Sequence, residues 1–256
     1  GGSPTATVNS DALFSNIELN TGSLDGLNLT LDPDSNAVSV TITTAGSVVN
    51  IGEDASDNVQ INTISGINGD IVVTSQNNGI IIDTTGSNNG ILGGSQNIIL
   101  TAATSITDFD GGGTVTSITT TGSLTLSAGT GAVSGGIDLN TSVASIDITN
   151  ITDGDITIAN TSGSLLTLTG SNTGGGNSTI TNGSPISTGN FDGVGGDVLI
   201  AALGTAATDV LTIDGNVTTS GTGNIFLYAG SDIVQNDGTS VTVTGAAATG
   251  TINLYA

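Results

Sequence analysis

Apolar residues in this chain come in short runs of alternation. Leu27, Leu29 and Leu31 alternate with polar neighbours, and so do Val38, Val40 and Ile42. A period of two puts alternate side chains on opposite faces, the pattern of a half-buried β-strand. The same pattern predicts strands at 47–51, 70–74, 79–83, 97–101, 115–119, 123–127, 136–140, 145–149, 155–159 and 165–169. Beyond residue 195 it predicts strands at 198–201, 210–213, 224–228, 240–244 and 251–255. Between the runs stand Gly, Asn, Asp and Ser, as in Ser87-Asn88-Asn89-Gly90. Those residues suit tight corners. Helix is not expected, because Thr, Val, Ile, Gly and Asn are poor helix formers and β-branched residues favour pleated surfaces.

A longer period overlies the short one. Ile42, Ile61, Ile80, Ile99, Ile118, Ile137 and Ile156 are spaced 19 residues apart. A fixed period near 20 marks a stacked repeat. The expected fold is therefore all-β, a parallel β-helix (β-solenoid) with coils of ~19 residues, each coil ~4.8 Å above the last. The alternative is an antiparallel β-sandwich fibre subunit that donates a terminal strand to its neighbour, an architecture with no need of a constant repeat. The register divides the chain into an N-terminal segment or linker at 1–22, a solenoid at 23–169, a Gly/Asn-rich loop or insertion at 170–196, and further solenoid coils at 197–256.

Charge narrows the partners. The 256 residues include 22 acids and no Lys, Arg or His, for a formal net charge of −22. Nucleic-acid binding rests on cationic side chains that displace counterions, so no nucleic-acid partner is expected. Anionic membrane surfaces repel the chain for the same reason. No run of ~18 apolar residues is present to span a bilayer. Side-chain salt bridges cannot form, so apolar burial and hydrogen bonds must supply the stability. An apolar fraction of 36% and a mean hydropathy of +0.26 argue against disorder, which goes with low hydrophobicity. Without Lys or Arg, trypsin-like proteases find no cleavage site, which suits a protein exposed outside the cell.

The chemistry that remains is limited. A Ser or Thr nucleophile needs an activating base, and with no His, Lys or Cys the chain is not expected to be an enzyme. The Gly-rich loops lack the Lys of a phosphate-binding loop. Calcium is the candidate cofactor, since hard cations take oxygen ligands from Asp, Asn and backbone at tight turns. Three stretches have suitable spacing: Asp32, Asp34 and Asn36; Asp108 and Asp110 before three glycines; and Asn190, Asp192 and Asp197 around a Gly-rich turn. All of these residues are also ordinary turn formers. Asn-x-Ser/Thr sequons start at Asn28, Asn140, Asn150, Asn160, Asn177, Asn182 and Asn216. Asn177 and Asn182, in the expected loop, are the best placed for glycosylation.

Certain phrases recur towards the C-terminus. Gly223-Asn224-Ile225-Phe226-Leu227-Tyr228-Ala229 is echoed by Gly250-Thr251-Ile252-Asn253-Leu254-Tyr255-Ala256, by Gly122-Ser123-Leu124-Thr125-Leu126 and by Gly154-Asp155-Ile156-Thr157-Ile158. This phrasing resembles the repeats of filamentous haemagglutinin-like proteins and autotransporter passengers, and in style it covers most of 60–256. The resemblance implies a right-handed β-helix at the cell surface with an adhesive or scaffolding role. That family's N-terminal secretion region has no counterpart in this sequence. The expectation is an extracellular, cell-surface structural protein: a rigid rod, or a fibre or layer that polymerises through its chain ends. The alternatives are a calcium-dependent adhesin holding a surface glycan or host ligand through 170–196, and a strand-donating pilus-like subunit.

Overall fold

The computed structural model describes the backbone of residues 5–10, 16–21, 26–31, 38–44 and 48–53, and backbone with side chains of 59–65, 70–76, 78–86, 89–109, 115–131 and 135–256. These residues form 24 strands, and every strand pair among them is parallel. The chain is a parallel β-solenoid. An antiparallel sandwich is excluded, because its hairpin neighbours would run in opposite directions. Among the described residues no helix is long and apolar enough to cross a membrane.

One ladder of the solenoid climbs through Ile80–Ile82, Ser105–Asp108, the start of Gly136–Asn150, Ile156–Asn160, Ser178–Asn182, Val198–Ala202, Ile225–Ala229 and Ile252–Tyr255. Another climbs through Ile71–Ser75, Ile98–Ala102, the second half of Ile118–Ala128, the second half of Gly136–Asn150, Leu166–Asn172 and Ile186–Gly193. Alternation decides which side chains enter. In Gly136–Asn150, residues Ile137, Leu139, Thr141 and Val143 are buried on one wall and Ile146, Ile148 and Asn150 on the next. Ile158, Ile180, Ile200 and Leu227 stack in one buried column. Full burial of each such side chain is worth about 1.5–3 kcal/mol.

The coils are not 19 residues long. Ile137 pairs with Ile156, the one step of the predicted isoleucine column that the structure keeps. Elsewhere Ile61 pairs with Ile82, Ile80 with Ile106, Ile99 with Thr125 and Ile118 with Thr141. Ile99 points outward and is half-buried. Successive core residues are 22 apart at Ile158–Ile180, 20 at Ile180–Ile200 and 27 at Ile200–Leu227. A solenoid needs register only within its strands, and corners on the surface absorb residues at little cost.

Two segments differ from expectation. Residues 170–196, expected as a loop or insertion, carry the end of strand Leu166–Asn172 and all of Ser178–Asn182 and Ile186–Gly193. The inward positions here mix polar Asn172, Ser178, Asn182 and Thr188 with apolar Ile180, Ile186 and Phe191, all buried, so the apolar alternation that identifies a strand is interrupted. Within 1–22, strands Thr5–Ser10 and Asn16–Thr21 pair in parallel with Gly26–Leu31 and Val38–Thr44.

Candidate functional site

Polar side chains build two systems in this solenoid, one inside and one along its corners. Inside, Asn150 Nδ2 donates to Asn172 Oδ1 at 3.0 Å, and Asn172 Nδ2 donates to the carbonyls of Gly154 (3.1 Å) and Gly176 (3.0 Å). In a second column Thr141 Oγ1 donates to Asn160 Oδ1 (2.9 Å), and Asn160 Nδ2 donates to Asn182 Oδ1 (2.9 Å) and Val143 O (3.0 Å). All five side chains are buried. A primary amide both donates and accepts, so a stack of them passes hydrogen bonds from coil to coil while satisfying corner carbonyls. Sequons at Asn150, Asn160 and Asn182 are thereby closed to modification in the folded chain, contrary to the expectation for Asn182. Asn177 and Asn216 are exposed.

Along one corner, Asp155 Oδ1 accepts the N–H of Asn177 (2.8 Å), and Asn177 Oδ1 accepts that of Asp197 (3.0 Å). Asp197 Oδ1 in turn accepts that of Asn224 (2.7 Å), and Asn224 Oδ1 that of Thr251 (2.9 Å). Each of these residues follows a glycine: Gly154, Gly176, Gly196, Gly223 and Gly250. A Cβ on Gly176 would lie 2.0 Å from Gly154 O, and one on Gly196 2.0 Å from Gly176 O. The corner is therefore written Gly-x followed by a strand, x being Asp or Asn in four of these five and Thr251 in the last: glycine lets the coils close, and the Asx oxygen satisfies the coil above. Two more corners work alike, through Asp70, Asn97 and Ser123 and through Asn190, Asn216 and Ser240.

This arrangement decides where the predicted calcium ligands go. Asn190 Oδ1 and Asp197 Oδ1 serve different corners. Asp192 Oδ1 accepts from Thr218 Oγ1 at 2.7 Å. Asp108 Oδ2 accepts from Asn140 N (2.8 Å) and Nδ2 (3.2 Å). Asp32, Asp34, Asn36 and Asp110 lie outside the described residues. Among the described residues no three acidic side chains converge on a common point.

The feature sequence reasoning missed is a groove on the outer face near the C-terminus. Outward positions of successive coils pair as Thr179, Leu199, Phe226 and Asn253, and beside them as Thr181, Ala201, Tyr228 and Tyr255. With Leu199, Leu203 and Phe226 the second set lines an open groove of about 370 Å³. An adjoining hollow of about 270 Å³ shares Leu199 and Phe226 and reaches Asn177, Thr179 and Asp197. Tyr228 and Tyr255 are 42% and 52% exposed. The sequence does carry a sign of the groove: Phe226 and Tyr228 alternate with buried Ile225 and Leu227 and so share the outer face.

No family model, curated protein or solved structure matches the chain.

Proposed function

We propose that the protein is a rigid structural rod of the cell exterior that lengthens by stacking further coils on its open end. One observation carries this reading. Ile252 and Leu254 continue the core columns of Ile225 and Leu227. Ile225 and Leu227 are fully buried, whereas Ile252 and Leu254 are 43% and 58% exposed. The coil at 252–255 thus presents apolar positions and a strand edge, and such edges pair readily with another coil. The occupant in this reading is a coil of a second copy. Head-to-tail contacts of this kind do not close on themselves and so build filaments.

A chain without Lys or Arg withstands trypsin-like proteases, which supports an extracellular place. The absence of His, Lys and Cys supports a structural rather than catalytic role. Calcium enters this reading as a screening counterion for the acidic surface.

Electron microscopy and sedimentation test the proposal on the native chain and on Leu254→Asp, a change at an exposed side chain. The native protein is expected to form rods that lengthen with concentration, and the variant to stay as single rods. Single native rods at every concentration would overturn the proposal.

A further inference from the structure

The outer groove is a second surface, formed by outward side chains rather than by the core columns of Ile252 and Leu254, although Tyr255 of that last described strand lines part of it. From its geometry we infer that it binds a neutral glycan, lying along the solenoid axis across successive coils.

The position rules out strand addition. Val198–Ala202 pairs with Ser178–Asn182 on one side and Ile225–Ala229 on the other. An occupant meets side chains only. The aromatics are also not required by the fold. Earlier coils fill the same outer columns with Asp138, Thr157 and Thr179, and with Asn140, Ala159 and Thr181. Phe226, Tyr228 and Tyr255 gather at the groove, while one further exposed ring, Phe109, lies lower in the same ladder just after Ser105–Asp108.

The lining selects the ligand. One wall is apolar, from Leu199, Phe226, Tyr228 and Tyr255. The far end presents oxygens of Asn177, Thr179 and Asp197. The chain has no Lys, Arg or His side chain to recognise an anion, and its charge of −22 repels one. A fitting ligand therefore offers C–H faces to the rings, hydroxyl donors to the oxygens, and no negative charge. A chain of neutral sugar rings has all three properties. Tyr228 and Tyr255 are register partners one coil apart, or ~4.8 Å, a repeat of the same order as that of an extended sugar polymer. The volume of about 370 Å³ lies within the usual range for ligand sites.

The protein reports on its own groove. It has two tyrosines and no tryptophan, and both tyrosines line this site, so all tyrosine emission arises there. The experiment titrates the full chain with neutral oligosaccharides (cello-, xylo-, manno- and chitohexaose), with polygalacturonate as the anionic control. A saturable emission change with at least one neutral sugar is expected, and none with polygalacturonate. Phe226→Ala, followed by the same emission, and Tyr228→Ala, followed by calorimetry, should each weaken binding roughly five- to ten-fold with an unchanged unfolding midpoint. Tyr228→Phe, which keeps the ring, should bind nearly as the native chain does. The inference is overturned if no neutral sugar changes the emission, if polygalacturonate binds equally well, or if both alanine variants bind normally. It is also overturned if the emission of Leu254→Asp, which stays as single rods in the filament reading, changes with protein concentration alone, which would make a second copy the occupant. Leu254→Asp should leave the titration unchanged, so failure of the filament reading and failure of this one are told apart.

Discussion

At the scale of single residues, the asparagines divide into two populations with opposite fates. Asn172 sits at 0% exposure with its amide shared among Asn150 and the carbonyls of Gly154 and Gly176. Truncation leaves buried polar groups without partners, at about 1–3 kcal/mol. Asn172→Ala should therefore lower the urea midpoint by a corresponding amount, and Asn182→Ala, in the other column, should act alike. Exposed corner asparagines serve the outside. When the chain is made in a glycosylating host, mass spectrometry should find glycan at Asn177 or Asn216, and none at Asn150, Asn160 or Asn182, which are shielded in the fold.

At the scale of elements, the corner sets where each strand begins. Strands expected from 155, 224 and 251 begin instead at Ile156, Ile225 and Ile252. The residue before each, Asp155, Asn224 or Thr251, is the corner residue linked to the coil above or below. Glycine is needed just ahead because the coils approach there. Gly176→Ala would set a Cβ 2.0 Å from a backbone oxygen, whereas Gly183→Ala meets nothing within 4 Å. Crowding of this kind costs about 1–3 kcal/mol, while a compatible Gly→Ala change is neutral or stabilising by up to ~1 kcal/mol. Thermal unfolding of the two variants should move in these different directions. The repeated Gly-x-apolar phrase that carried the family resemblance is thus accounted for by corner closure, a demand any parallel solenoid of this kind must meet.

At the scale of the molecule, electrostatics works against compactness. A net charge of −22 with no side-chain cation produces repulsion that salt screens, with a Debye length near 10 Å at 0.1 M. The melting temperature should rise as NaCl increases from a few millimolar to about 0.5 M. Calcium matched in ionic strength should do little more than sodium if it acts as a counterion. A stabilisation that saturates at micromolar calcium would instead establish a specific site. Burial varies along the solenoid as well: amides in Val241–Thr244 and Ile252–Tyr255 should exchange faster than those in Ile156–Asn160 in dilute protein, because few of their side chains are buried.

The sequence by itself determined that this chain is all-β and stacked in parallel. Those properties follow from local alternation, poor helix propensity and recurring phrases, which depend on neighbouring residues. It also fixes the absence of Lys, Arg and His side chains, which no fold can supply. Coil length was not legible: the 19-residue isoleucine column coincides with the true register only at Ile137–Ile156, because corners of varying length separate strands that still align. Strands within 170–196 were hidden because buried Asn172, Ser178, Asn182 and Thr188 interrupt the apolar Ile180, Ile186 and Phe191, and only stacking shows that these polar groups meet partners on neighbouring coils and corner carbonyls. The tertiary structure alone decided that Asn190, Asp192 and Asp197 hold neighbouring coils, and that Phe226, Tyr228 and Tyr255 share a groove. Each depends on which residues of different coils come to lie side by side, and the number of residues in every intervening corner sets that.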